Sequence, residues 1–140
     1  MTDIVWILDA IVLAVHDEQL AEHGGLAGIR DPGAVRSALA RPRNLASYEK
    51  CDDIAQLAAA YAYGIAKNHG FADGNKRTAL VIADLFLMLN GYELRSSPAE
   101  NVLTILAVAD GSLPEEEFAA WVRSNIQELS DKTESDVEFC

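Results

Sequence analysis

The sequence predicts an all-α, single-domain bundle of about six helices around a central helical hairpin. Apolar residues recur every three or four positions over most of the chain, which is the period of an α-helix. Two long apolar segments, Ile54–Ala66 and Ala79–Leu89, are separated by a short polar stretch. That arrangement predicts two antiparallel helices joined by a loop. No segment alternates clearly enough to predict a strand, and 140 residues fit one domain.

The N-terminal segment predicts a short extended run followed by a helix. Ile4–Leu8 is apolar and partly β-branched, which favours an extended start. Asp9 can cap a helix that ends near Glu22, and Gly24-Gly25 just beyond it is typical of a helix C-terminus. We therefore predict the first helix between these residues.

Two histidines of this helix, His16 and His23, are seven positions apart and could share a face. A metal site needs more ligands than these two, and no third ligand accompanies them. We interpret His16 as a surface histidine and His23 as a C-terminal cap.

The next segment predicts a second helix and then a loop. Leu26–Arg30 is a connector, and Asp31-Pro32 has the pattern of an N-cap followed by proline at the first helical position. We expect this helix to end near Ala40. Pro42–Lys50 is polar and irregular, so its simplest interpretation is a surface loop.

Capping residues bound the remaining helices. Asp53 with Gln56 has the spacing of a capping box and opens a helix to about Asn68, while Asn90-Gly91 ends the helix after the loop. Ser97-Pro98-Ala99-Glu100 is a second capping box. The last helix starts near Ser112 and Pro114, and its apolar stripe comprises Phe118, Trp121, Val122, Ile126 and Leu129.

Charge argues against nucleic acid as a direct partner. The net charge is −11, whereas nucleic-acid binding depends on lysines and arginines that neutralise phosphates. Residues 128–140 carry five acids against Lys132, so we expect an acidic, frayed tail after a domain spanning residues 1–127.

The cysteines and apolar segments indicate a cytoplasmic protein without a membrane partner. Cys51 and Cys140 are far apart, which predicts no disulfide framework and suits a reducing compartment. The N-terminus lacks the basic region of a signal peptide. Ala79–Leu89 contains Asp84 and is shorter than the roughly 20 residues that span a bilayer.

The loop of the hairpin, residues 69–77, predicts a phosphate-binding site. Gly74 permits a tight bend, and the next helix should start near Asn75. Lys76 and Arg77 then lie in the first turn, at the positive end of the helix macrodipole. Two cations there cost about 0.3–1 kcal/mol each unless an anion compensates. Glycine, unpaired N–H groups and two cations together favour bound phosphate.

The same loop holds the other groups that phosphoryl transfer requires. Asp73 offers the hard oxygen that suits Mg²⁺, which is held by one or two carboxylates plus phosphates. His69 is a natural general base at neutral pH. Phe71 lies between them and should point into the core as the anchor of the loop. Each residue alone has a structural explanation, but their crowding into nine positions favours catalysis.

The stretch His69-Gly70-Phe71-Ala72-Asp73-Gly74-Asn75-Lys76-Arg77 resembles the signature of the Fic/Doc superfamily, His-x-Phe-x-Asp-Gly-Asn, then Gly or Lys, then Arg. With Lys76 and Thr78-Ala79 it resembles the Doc (death-on-curing) branch, the toxin half of bacterial toxin–antitoxin pairs. Gly70 departs from the His-Pro-Phe form common in Fic proteins and lacks the stiffness of proline.

This resemblance implies a role for each residue. His69 would deprotonate a protein hydroxyl and Asp73 would hold Mg²⁺. The nucleotide phosphates would be bound by Gly74, Asn75, Lys76 and Arg77. A Doc protein delivers the γ-phosphate of ATP to translation elongation factor Tu in the bacterial cytoplasm, and a separate antitoxin restrains it.

Two alternatives stay open. Fic enzymes have glycine at the position of Lys76 and transfer AMP, so AMP transfer to a protein hydroxyl is the first. The second is a catalytically silent module that binds partners through the groove.

Two further features follow from the resemblance. Pro42–Lys50 could form a flap that holds a target segment beside the site. Ser96, Glu100 and Asn101 match the inhibitory motif of self-restrained Fic proteins, Ser/Thr-x-x-x-Glu-Gly/Asn. Because Glu100 is already explained by the capping box, we interpret it as a cap.

Overall fold

The computed structural model describes residues 3–129, and this part of the chain forms six helices and a two-stranded antiparallel ribbon. The all-α prediction is therefore confirmed. The elements in chain order are α1 (Asp9–His23), α2 (Pro32–Tyr48), α3 (Ile54–Asn68), α4 (Asn75–Leu89), β1 (Tyr92–Leu94), α5 (Pro98–Asp110), α6 (Glu115–Ser124) and β2 (Ile126–Glu128).

Helix α3 forms the centre of the bundle, packed between α2, α4 and α6. Its many alanines allow neighbouring helices to approach closely, and Gly64 does the same toward α2. A Cβ at Gly64 would lie 3.1 Å from the Cα of Ala38 in α2. Tyr61 is fully buried and its hydroxyl accepts the N–H of Ile7 at 3.3 Å. The hairpin of α3 and α4 predicted from the sequence is the scaffold of the fold.

Helix α2 is longer than predicted, because it continues through Pro42 to Tyr48. The prediction of an irregular loop at residues 42–50, and of a flap formed by it, is therefore wrong. A proline inside a helix usually costs about 3 kcal/mol, since it removes a hydrogen bond and crowds the preceding turn. Pro42 is buried and Leu45 packs against the core, so tertiary packing outweighs this cost.

Two helix starts differ in detail from the prediction. The N-cap of α1 is Leu8 and not Asp9, which is the first helical residue and places its charge at the positive end of the helix. Asp53 caps α3 by accepting the N–H of Ala55 at 3.1 Å, without the reciprocal bond from Gln56 that the predicted capping box requires. Its other carboxylate oxygen pairs with Arg123 of α6, so this cap also ties two helices together.

The C-terminal elements combine confirmed and wrong predictions. The capping box of Ser97 and Glu100 is present at the start of α5, which gives Glu100 a structural role. The last helix ends at Ser124, and Ile126 pairs with Leu94 in the ribbon instead of continuing the helical stripe. The predicted boundary after residue 127 falls inside β2, and the tail from residue 130 lies outside the described residues.

None of the helices within residues 3–129 is both long enough and apolar enough to cross a bilayer.

Candidate active site

The loop between α3 and α4 begins and ends with a residue in the left-handed conformation. His69 ends α3 with φ 51° and ψ 44°, and Gly74 precedes α4 with φ 77°. Glycine adopts this conformation freely, but a histidine there carries strain of about 1–3 kcal/mol. The His69 side chain is exposed. The surrounding structure must therefore hold His69 in place.

The connector between α1 and α2 provides much of this support through backbone hydrogen bonds. The carbonyl of Gly70 accepts the N–H groups of Arg30 at 2.8 Å and Asp31 at 3.0 Å. The N–H of Ala72 donates to the carbonyl of Gly28 at 3.0 Å. The Arg30 guanidinium also donates to the carbonyl of His69 at 3.0 Å. The segment beside the loop is thus residues 28–31, where the sequence predicts only a connector and the N-cap of α2.

Gly70 occupies a position with no room for a side chain. A Cβ there would lie 2.6 Å from Cγ2 of Val35 and 3.0 Å from the Val35 backbone nitrogen. The hydrogen bonds of the Gly70 carbonyl to the connector restrain the loop, although proline is absent at this position. Close contact with α2 therefore restrains the loop in place of the proline that is absent at position 70.

Phe71 and Asn75 fix the loop from inside the protein. Phe71 is 2% exposed and belongs to the core. The side chain of Asn75, 9% exposed, accepts the N–H of Phe71 at 3.0 Å and donates to the Phe71 carbonyl at 3.1 Å. Because this side chain is engaged inside the loop, the prediction that Asn75 binds phosphate rests on its backbone N–H.

His16 of α1 completes the support, and its prediction as a surface histidine is wrong. It is 3% exposed and stacks on Phe71 with ring centroids 3.7 Å apart and planes at 11°. Its Nε2 lies 2.8 Å from the carbonyl oxygen of Asp73. Apolar periodicity could not reveal this burial, because two of the three buried residues of α1, namely Val12, His16 and Gln19, are polar.

The Asp73 carboxylate is oriented by backbone donors. One oxygen accepts the N–H of Gly74 at 2.9 Å and the other accepts the N–H of Leu26 at 3.3 Å. These hydrogen bonds, followed by the charges of Arg77 and Lys76, lower the pKa of Asp73. A Cβ at Gly25 would lie 2.8 Å from the Asp73 carboxylate, so glycine there leaves space for it. Asp73 is therefore held as an exposed anion.

The start of α4 presents donors that lack acceptors. Its first turn contains Lys76 and Arg77 and no acid. Arg77 donates to the carbonyl of Gly24 at 3.0 Å, while its buried Nε has no partner among the described residues. The first N–H groups of any helix also lack partners within the helix. An anion is the ligand that fits this arrangement.

The model of the Fic/DOC family matches residues 6–87 of the chain, from before α1 into α4. The chain belongs to the Fic/DOC family. It is similar to the "Protein kinase doc" of Escherichia phage P1, with 38% identity over 94 residues, or 67% of this chain and 75% of that protein. It is also similar to the "Toxin Doc" of Mycolicibacterium smegmatis (strain ATCC 700084 / mc(2)155), with 37% identity over 97 residues, or 64% and 73% of the two chains.

The matched part of this Fic/DOC chain contains every group of the candidate site. Asp73 lies close enough to Arg77 and Lys76 for both charges to lower its pKa. His69 stands at the opposite end of the loop. The described residues contain no cluster of three or more histidine, cysteine, aspartate or glutamate side chains that could hold a metal by themselves. A single carboxylate fits Mg²⁺, whose other ligands are normally phosphate oxygens and waters.

Proposed function

We propose that this Fic/DOC protein is a Doc-type toxin that transfers the γ-phosphate of ATP to a hydroxyl group of another protein. The observation that carries the proposal is the first turn of α4, where two cations and unpaired donors lie beside the Asp73 carboxylate. Negative charge at this helix end is favourable, and ATP with Mg²⁺ supplies it.

The predicted site residues of the loop divide the work of this reaction among them. His69 takes the proton of the attacking hydroxyl, the hydroxyl oxygen bonds to the γ-phosphorus, and the bond from that phosphorus to the bridging oxygen of ADP breaks. Asp73 would hold Mg²⁺, which would supply positive charge against the phosphates. The backbone N–H of Asn75 and the side chains of Lys76 and Arg77 hold the phosphates in line. The N–H of Gly74 donates to the Asp73 carboxylate and supports the site through it.

The likeness to two Doc proteins supports the biological part of the proposal. We propose that the modified protein is translation elongation factor Tu, that its modification arrests translation, and that a cognate antitoxin restrains the toxin in the bacterial cytoplasm. Neither nucleic acid nor a membrane takes part directly.

Lys76 is expected to determine which phosphate is transferred, because its long cation lies where glycine leaves space in Fic enzymes. The wild-type protein should label elongation factor Tu from ATP that carries the label on its γ-phosphate and not on its α-phosphate. Lys76→Gly should reduce this transfer by about 10²–10³-fold, the effect of removing a preorganised charge-stabilising donor. The measurement is a two-label assay, in which the wild type and Lys76→Gly are each incubated with Mg²⁺ and with ATP labelled on either the α- or the γ-phosphate.

The same assay separates the alternatives. Label arriving from the α-phosphate in the wild type would show AMP transfer and overturn the kinase proposal. Nucleotide binding without transfer from either position would indicate the silent, partner-binding module. A matched control is Lys67→Gly, since Lys67 is an exposed lysine in the last turn of α3, outside the loop.

Asp73→Asn should weaken Mg²⁺-dependent transfer by about 10-fold or more, since a neutral amide is a poorer ligand for a hard cation. The measurement is the transfer rate as a function of Mg²⁺ concentration, and the variant should need more Mg²⁺ for half-maximal rate. Asp84→Asn, an exposed carboxylate on α4, is the control. Equal wild-type rates in Mg²⁺ and in EDTA would contradict the metal role of Asp73.

A further inference from the structure

The peptide group between Asp73 and Gly74 lies between the core and the candidate phosphate site. Its carbonyl oxygen is 2.8 Å from Nε2 of the buried His16. Its N–H donates to the exposed Asp73 carboxylate at 2.9 Å. Because the C=O and N–H of a trans peptide point in opposite directions, one contact determines the direction of the other.

The direction of this peptide matters for anion binding. With the carbonyl held toward His16, the N–H faces the Asp73 carboxylate beside the first turn of α4. If the peptide turned over, the carbonyl oxygen would face that side and place partial negative charge beside the phosphates. Gly74 is able to make such a turn, because glycine is free in φ and ψ.

His16 is the contact that opposes this turn. A carbonyl oxygen can only accept a hydrogen bond, so Nε2 must carry the hydrogen and donate it. The imidazole is itself fixed, since it stacks on Phe71 at 3.7 Å and lies against Gly74, whose Cβ would be 3.6 Å from the His16 ring. The side chain that reaches the loop from α1 is therefore both buried and oriented.

We propose that His16 is a positioning residue of the phosphate site: it holds the Asp73–Gly74 peptide so that its N–H stays on the Asp73 carboxylate and its carbonyl stays turned away from the nucleotide. His16 touches neither substrate nor metal and acts through this one peptide group. The proposal deepens the proposed function and rests on it for the identity of the ligand.

Two substitutions separate the hydrogen bond from the packing. His16→Phe keeps an aromatic ring against Phe71 and removes the donor. His16→Gln removes the ring and keeps an amide N–H close to the position of Nε2. A role in packing alone predicts that phenylalanine is the better replacement, whereas the positioning role predicts glutamine.

The peptide itself can be observed by NMR. Labelling aspartate with ¹³C at the carbonyl and glycine with ¹⁵N selects Asp–Gly pairs, of which the sequence has two, Asp73–Gly74 and Asp110–Gly111. The second pair ends α5 and serves as an internal control. We expect His16→Phe to shift the Asp73–Gly74 signal, His16→Gln to leave it close to wild type, and the control signal to stay in place in both.

Binding of ATP with Mg²⁺, measured by calorimetry, provides the functional readout. We expect about tenfold weaker binding in His16→Phe and a change of less than about threefold in His16→Gln, the scale of one hydrogen bond. Melting temperatures measured in parallel should not follow this order, because stacking on Phe71 favours the phenylalanine variant.

The outcomes separate the two proposals. An unmoved Asp73–Gly74 signal or wild-type nucleotide affinity in folded His16→Phe overturns the role of His16 and leaves the proposed function intact. Failure of the wild type to bind ATP with Mg²⁺ overturns the proposed function, while the NMR signals still show whether His16 holds the peptide. If His16→Phe does not fold, ¹⁵N-histidine spectra of the wild type show instead whether Nε2 of His16 carries a hydrogen. An Nε2 without hydrogen cannot donate to the Asp73 carbonyl and overturns the proposal.

Discussion

Replacement of His69 by alanine is expected to lower the rate of phosphate transfer by about 10²–10⁴-fold while the fold is retained. His69 is the only histidine of the loop and its side chain is exposed at the end of α3. Its removal leaves the protein hydroxyl without a general base. The measurement is the transfer rate from γ-labelled ATP, with circular dichroism and the melting temperature of the same samples.

His69→Asn and His23→Ala are the matched controls. Asparagine tolerates the left-handed backbone of position 69 better than most residues, so His69→Asn removes the base with little added strain. It should be as inactive as the alanine variant. His23 lies in the last turn of α1 and should be replaceable without loss of rate. Full activity of His69→Ala, or its failure to fold, would contradict the assignment.

Phe71→Ala should act on stability, with a loss of about 3–5 kcal/mol in the free energy of unfolding. Phe71 is 2% exposed and stacks on His16; its N–H donates to the Asn75 side chain, and its carbonyl accepts from that side chain. The cavity left by its ring would loosen the loop from inside. Urea denaturation followed by circular dichroism measures the change.

Phe71→Leu is the corresponding control, because it keeps most of the apolar volume and should cost far less than the alanine variant. Transfer activity should fall in Phe71→Ala even where most of the protein remains folded, since the loop residues lose their anchor. A wild-type midpoint of unfolding for Phe71→Ala would be incompatible with a buried anchor.

The central hairpin could be predicted from the sequence because its signals are local. The apolar period of residues 54–66, the Asp53 cap and the Gly74 bend all act within one turn of the residues concerned. The structure places α3 at Ile54–Asn68 and begins α4 at Asn75, as predicted. The candidate loop could be predicted for the same reason, because its reactive residues are contiguous in the sequence.

The errors concern contacts between distant segments. Burial of Pro42 against neighbouring helices keeps α2 helical where local preference predicts a loop. The ribbon pairs three residues with three others more than thirty positions away. A strand of three residues is too short to show the alternating pattern that predicts a strand. His16 was misplaced because its partner, the Asp73 carbonyl, is 57 residues away. Local periodicity does not identify such partners.

The nine-residue signature, residues 69–77, is therefore not sufficient to form this site by itself. Grafted between two helices of another protein, it would bring its base, carboxylate and cations but neither the Gly28–Asp31 backbone nor the imidazole of His16. His69 would be free to leave its strained conformation, and the Asp73–Gly74 peptide could turn over. Some chains could contain the signature without an equivalent of α1 and its connector. Such a chain has the reactive groups of this site but lacks the structure that orients them.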